Sequence, residues 1–421
     1  MIKKNRNKEF LTVFFVFMLV AVFVLLYFNF RSRNFSKPAV LKLYYYDPVT
    51  KEIVPVEKEV PLKEDNVLNI YTLVDMLKNP DSTKLFPLLD RNSNLRNVRV
   101  SEGLCSVDFY FKTGKPLSYS VSREAAAVYG LVNTLTELNG ISEVQILIDG
   151  KPAQYFYHYI EIDKPLTHFD LRIPKGEEVN LYFPTQDFDN LVVEKREVVN
   201  TDDPVLFGNR VLKELFYGSL YGLPQIIPGD ALNNFYIKSG GTGVVDLKED
   251  ILKNSIGSHS EALFISSIVD TLTELPDIAA VQVTVQGQVI PSLFGSVDVS
   301  IPLTRFMVNV NSYLVPYYVY NFNGNSFFVP ILYKYDKPAP QNLFNLLLKT
   351  SGNYSTMLPE NAKLISYNLD GDTIEMTVNL GSISGDDLEV LKGQIALSFT
   401  ELPGVMKVKL TIGEESFILE R

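Results

Sequence analysis

The side chains that could do chemistry are few. The chain has three histidines, His158, His168 and His259, and a single cysteine, Cys105. His158 and His168 have a spacing that fits no metal motif, and histidines on a surface or half-buried strand are the expected role. Cys105 alternates with Val107 and Phe109, so it reads as a small buried hydrophobe rather than a nucleophile. One cysteine excludes an intramolecular disulfide and a thiolate metal cluster. No nucleophile elbow, phosphate-binding glycine loop or dinucleotide fingerprint occurs. Gly240-Gly241-Thr242-Gly243 looks like a phosphate cradle, but it lacks the Lys-Ser/Thr ending and precedes a strand, which makes it a hairpin turn. Asp386, Asp387 and Glu389 could form a pair for acid/base work. They open a helix, where anions are favoured in any case. Tyr155, Phe156, Tyr157 and Tyr159 form an aromatic run that could stack on a glycan or a partner, although strand alternation places part of it in a core. No catalytic, cofactor-binding or metal-ligating residue is therefore assigned. No cofactor is expected, and the protein is read as not an enzyme.

Three carboxylates stand apart. Glu137, Glu274 and Glu401 occupy one place in a repeated segment: Thr134 to Leu138, Thr271 to Leu275 and, more loosely, Ser398 to Leu402. Each lies near the end of a predicted helix, where the dipole disfavours an anion by about 0.3–1 kcal/mol. An acid kept there three times implies a partner for each. The plainer role is structural, with the carboxylate meeting backbone N–H groups or a nearby Lys or Arg. The sharper one is a shared contact between modules.

The elements that position these acids also repeat. The step is 137 residues between the first two segments (271 − 134) and 127 between the last two (398 − 271). Val107-Asp108-Phe109 matches Val245-Asp246-Leu247 and Val378-Asn379-Leu380. Pro165-Leu166-Thr167 matches Pro302-Leu303-Thr304. Each copy opens on an aromatic strand: Leu43 to Tyr46, Leu181 to Phe183, Tyr317 to Tyr320. A second strand follows, then a helix with start and stop residues: Asn66 and Asn79-Pro80, Asp202-Asp203-Pro204 and Gly218, Pro340 and Ser351-Gly352. A hairpin comes next, its turn clearest at Asp370-Gly371. A second helix carries Val128, Leu131, Val132, Leu135 and Leu138 on one stripe, and Ile265, Ile268, Val269, Leu272 and Leu275 repeat that spacing. A closing strand alternates, as Val144, Ile146 and Ile148 show. The fold class expected is α+β: three tandem β-β-α-β-β-α-β modules, each with two helices on one face of a mixed or antiparallel sheet, preceded by one transmembrane helix.

That helix rests on Phe10 to Phe28, an uncharged run long enough at ~1.5 Å per residue to cross a bilayer. It exceeds the h-region of a cleaved signal peptide and ends in bulky residues. The expected organisation is a cytoplasmic N-terminus (1–9), a signal anchor (10–30), module 1 (38–155), a spacer (156–179), module 2 (180–290), a spacer (291–314) and module 3 (315–421). The expected location is the cell membrane, single-pass, with an extracytoplasmic body. Residues 1–37 hold seven basic groups and one acid, which leaves 32 basic and 48 acidic groups in the remainder of a chain of net charge −10. A body this acidic lacks the basic face a nucleic-acid binder needs.

These motifs resemble the GerMN domain family of sporulation and spore-germination proteins of the GerM type. The resemblance rests on the Val-Asp-Leu-like strands, the Thr-Leu-Thr-Glu segments, Leu402-Pro403-Gly404, and the valine-rich strands ending in Gly150, Gly287 and Gly413. It covers most of residues 40–421. It implies a non-enzymatic envelope scaffold that forms oligomeric or ring-like assemblies in sporulation or germination. The partners implied are the membrane through the N-terminal helix, and self-association or other envelope proteins. The alternative is a monomeric binding module for a cell-wall polymer or an envelope protein. Three copies depart from the one or two usual in the family.

Overall fold

The computed structural model describes residues 18–24, 37–81, 85–115, 120–226, 229, 231–307, 312–335, 338–381, 383 and 385–421. The chain divides into two compact units, Met1–Gly176 and Glu177–Arg421. The first holds copy one. The second holds copies two and three.

In the first unit, β1 (Lys37–Asp47) and β2 (Glu52–Leu62) form a two-stranded antiparallel hairpin of their own. Helix α1 (Asn66–Lys78) starts one residue earlier than its sequence suggested: Asp65, not Asn66, is the cap and accepts the Val67 N–H. The order continues with β3 (Ser93–Ser101), β4 (Leu104–Phe111), α2 (Val121–Thr136), β5 (Glu143–Ile148) and β6 (Lys151–Pro152). The last four strands make one mixed sheet in that order, with β4 and β5 parallel because α2 carries the chain between them. Helix α2 touches both the opening hairpin and β5. Two apolar surfaces therefore cover it, and it is buried almost all round, from Val121 to Leu135. The triplet Ala125-Ala126-Ala127 keeps this central helix thin. At Gly130 even a Cβ would lie 2.8 Å from the Leu88 side chain and 3.1 Å from the Tyr44 carbonyl oxygen.

The second unit runs β7 (Gly176–Pro184), β8 (Leu191–Val199), α3 (Pro204–Tyr217), β9 (Leu232–Lys238), β10 (Thr242–Leu247), α4 (Ser258–Leu272) and β11 (Ala280–Val285) in copy two. Copy three continues with β12 (Tyr313–Leu314), β13 (Tyr317–Phe322), β14 (Asn325–Pro330), β15 (Tyr333–Lys334), α5 (Pro340–Leu347), β16 (Lys363–Asp370), β17 (Thr373–Asn379), α6 (Gly385–Phe399), β18 (Lys407–Ile412) and β19 (Glu415–Glu420). Strands β9 to β11 form one mixed sheet and β16 to β19 another. The two opening hairpins join edge to edge in a four-stranded sheet, β13-β14-β8-β7, through an antiparallel bridge between Phe328 and Val193.

Two parts of the expected fold class need correction. The opening hairpin of each copy does not join its mixed sheet, so the second helix of copy one packs between two sheets rather than on one. Tyr44, Tyr182 and Tyr317 lie in these hairpins and donate their N–H groups to Thr134, Thr271 and Ser398 of the second helix. The transmembrane helix is the other correction. Of Phe10 to Phe28, only 18–24 are described, and these residues are helical; the rest lies outside the described residues. Among the described residues no helix is long and apolar enough to cross a membrane. A span needs about 20 apolar residues in one continuous helix. The single-pass anchor, the cell-membrane location and the cytoplasmic and extracytoplasmic sides drawn from it are therefore not supported.

The repeated aspartate of the Val-Asp-Leu strand closes the fold locally. Asp108 Oδ1 accepts the Gly150 N–H at 2.7 Å, and Asp246 Oδ1 accepts the Gly287 N–H at 2.6 Å. Gly150 and Gly287 have φ of +79° and +74°, a region that favours glycine. Asp246 also accepts from Thr284 and Asn233, at 2.8 and 2.6 Å. Asp246→Ala leaves these buried donors unmet. It is expected to cost about 2–3 kcal/mol in urea unfolding, with Asp246→Asn recovering part. Equal midpoints for wild type and Ala would refute this role for the carboxylate.

Candidate functional site: tyrosine, carboxylate and guanidinium on a local two-fold

The recurring acids share one local geometry. In copy one the Tyr44 hydroxyl donates to Glu137 at 3.0 Å, and its N–H donates to the Thr134 hydroxyl at 3.1 Å. In copy two, Tyr182 does the same to Glu274 at 2.6 Å and Thr271 at 3.1 Å. In copy three, Tyr317 bonds Glu401 at 2.8 Å and Ser398 at 2.9 Å. The repeated Thr/Ser-x-x-Glu is thus a two-point clasp from the end of a helix to one strand residue. The next helix position upstream follows suit. Ser267 and Gln394 donate to the carbonyls of Tyr182 and Tyr317, where copy one has Gly130.

In the second unit two clasps meet. The Tyr182 and Tyr317 hydroxyls lie 3.0 Å apart. Arg305 bonds Glu274 at 2.6 Å and Glu401 at 2.9 Å, and Arg421 bonds the same two carboxylates. The arrangement is reciprocal. Arg305 lies over the ring of Tyr182, 5.4 Å from its centroid, and reaches to Glu401 of the other copy. Arg421 lies over Tyr317 at 5.5 Å and reaches to Glu274. Arg305 Nη1 donates to the Asp270 carbonyl, and Arg421 Nη1 to the Leu397 carbonyl, the corresponding helix position. A local two-fold therefore relates copy two to copy three, with the same surface used by both. Around it pack Leu191, Val193, Leu263, Val315 and Leu397.

The electrostatics follow from burial. The Glu274 and Glu401 side chains are 6% and 7% exposed. Burial pushes a carboxylate up, but the two guanidinium groups outweigh it: Glu274 is held down at about 2, and Glu401 is also lowered. Burial likewise raises Tyr182 and Tyr317. Two cations face two anions, so the cluster is neutral as a set. Asp270 behaves differently. Burial pushes it up to about 7, against Arg305 and a 2.7 Å bond from the Phe306 N–H. That bond holds Phe306 at φ +54°, a strained conformation for an aromatic residue, in the turn that delivers Arg305.

Glu137 has a lighter setting. It is half-buried and keeps Tyr44, whose hydroxyl is pushed up to about 12 by burial and by this carboxylate. The position of Arg305 is taken by His168, which is exposed, sits edge-on to the Tyr44 ring at 5.8 Å and bonds the Thr136 hydroxyl at 3.1 Å.

The other sequence candidates fall elsewhere. Cys105 is fully buried on β4, and burial pushes its thiol up to about 12. The His158 N–H donates to Glu124, and the His259 ring meets the Phe188 carbonyl at 2.8 Å. Among the described residues no group of histidine, cysteine and carboxylate side chains could hold a metal ion. Phe156 and Tyr157 of the aromatic run are core residues. Gly240-Gly241 is the β9–β10 turn. Glu389 pairs with Lys392 in the first turns of α6.

The sequence reasoning missed Arg305, Arg421, Asp270, Glu124 and Glu261. The last two were legible as a pair one repeat apart. Each is buried and caps the segment that follows β6 or β11: Glu124 accepts N–H bonds from Tyr157, His158, Tyr159 and Ile160, and Glu261 from Phe294 and Ser296. The arginines left no such signal, because copy one has histidine at the corresponding place.

The family model described as Germane, sporulation and spore germination, matches residues 42–154, 180–291 and 316–416. This chain belongs to that family. Its GerMN-like module is present in three tandem copies. Among solved structures, the tandem GerMN domains of the sporulation protein GerM from Bacillus subtilis are similar at 22% identity, over 64% of this chain and 97% of that one, with a TM-score of 0.26. The first GerMN domain of the same protein is similar at 19% identity, over 32% and 96%, with a TM-score of 0.23. No curated protein matches the chain.

Proposed function

We propose that this sporulation and germination family member is a non-catalytic docking scaffold, whose GerMN-like modules associate through the tyrosine–carboxylate face. One observation carries the reading. Two of the three recurring acids, Glu274 and Glu401, hold one copy against another, through Tyr182, Arg305 and their counterparts Tyr317 and Arg421. A chemically active acid would instead stand in a cleft with room for substrate. The partners of such a scaffold are further copies of this chain or envelope proteins with a complementary face. Binding of a wall polymer by the aromatic run has less support, since Phe156 and Tyr157 are buried.

Light scattering of the full chain over a concentration series tests the reading. Mass rising above the 47.6 kDa monomer with concentration is the expected result. A mass that stays monomeric at several hundred micromolar would count against self-docking.

A further inference from the structure

Copy one carries half of the face that joins copies two and three. Tyr44, Thr134 and Glu137 reproduce Tyr182, Thr271 and Glu274 in position and in both hydrogen bonds. Asn133 stands for Asp270 and accepts the Phe169 N–H at 2.8 Å, as Asp270 does for Phe306. His168 stands for Arg305. A second feature of the joined pair is present as well. The β8 edge is paired with β14, whereas among the described residues the corresponding β2 pairs only with β1. Pro55 on that edge lies opposite Tyr44, as Pro330 lies opposite Tyr317, and Pro330 does not prevent β14 from joining β8.

We infer that this face of the first unit is a self-docking site, and that its occupant is the same face of a second copy of this chain. The inference deepens the docking function above and rests on it. The case for a second copy is the local two-fold. A surface that meets its own repeat across a two-fold is self-complementary, and copy one keeps the clasp residues and the strand edge that define it. Two first units brought together would place Tyr44, Glu137 and His168 against the partner's Tyr44, Glu137 and His168. Such an isologous contact closes on itself, so it yields a dimer rather than an open chain of subunits.

The replacement of arginine by histidine sets the conditions. In the second unit two permanent cations balance Glu274 and Glu401. In a first-unit dimer, two copies of Glu137 would meet with His168 in the place of each arginine. Burying carboxylates without cations is unfavourable. His168 meets the Tyr44 ring from β1 and the Thr136 hydroxyl from the end of α2.

Sedimentation velocity of the full chain and its His168 variants reads this directly. His168→Arg, which restores the cation of the joined pair, is expected to tighten the dimer about tenfold or more. His168→Glu, a change at an exposed residue, should dissociate it by facing the partner's Glu137. Association that neither variant alters would overturn the assignment of this face and leave the docking function standing on another surface. A chain that stays monomeric in every variant would overturn both.

Discussion

Glu401→Gln is expected to destabilise the full chain by about 3–5 kcal/mol, while Glu137→Gln should cost about 1 kcal/mol or less. The two residues occupy the same place in the repeat, and both bond a strand tyrosine. What differs is the company. Glu401 is buried beside Arg305 and Arg421. Removing its charge leaves two guanidinium groups, 14% and 19% exposed, to share Glu274. Glu137 is half-buried, so water solvates what its substitution changes, and glutamine still accepts from Tyr44. Urea unfolding followed by circular dichroism checks the pair. Similar losses at both positions would mean that the clasp, not the ion cluster, carries the stabilisation. Glu401 has a sign test in pH as well. Its value is lowered by folding, so its contribution is present above the ordinary carboxylate range and is lost as pH falls through the lowered value.

The repeat itself was legible because its signals are local. A helix end with Thr-x-x-Glu, a strand with Val-Asp-Leu and a turn with Gly each constrain a few neighbouring residues, and all recur in order. The acids were legible for the same reason, since a carboxylate at the wrong end of a helix dipole implies a partner nearby. The partner was not legible. Tyr182 lies 92 residues from Glu274, and Arg421 lies 147 residues from it. Contacts at such separations leave no periodicity in the chain. The separate hairpin was hidden for a related reason. The alternation in β1, β7 and β13 fits a strand of the main sheet as well as a strand laid across the helix, and only the packing of α2 between two surfaces decides it. The uncharged leader shows the opposite failure. Composition alone met the length criterion for a span, yet no described helix meets it.

Asp270→Asn is expected to stabilise the full chain at pH 8 by a few kcal/mol and to leave it nearly unchanged at pH 4. The carboxyl is pushed up to about 7 in the folded chain by burial, against an ordinary value near 3.9. A group raised by folding contributes its full stability below the unfolded value and loses it as pH rises through the folded one. The native chain should therefore weaken between about pH 4 and pH 7, by about 1.4 kcal/mol for each unit separating the two values. Arg305 offsets part of that by favouring the ionised form. Asparagine removes the titration and keeps the bond that matters: Asn133 accepts the Phe169 N–H in copy one and donates back to the Phe169 carbonyl at 3.2 Å. The Phe306 turn, and with it the delivery of Arg305, should survive the substitution. Melting temperature should fall for wild type between about pH 4 and pH 7 relative to the variant, and the gap should stay constant above that. Parallel curves would show that Asp270 is ionised throughout, and that the cluster holds three carboxylates against two guanidinium groups.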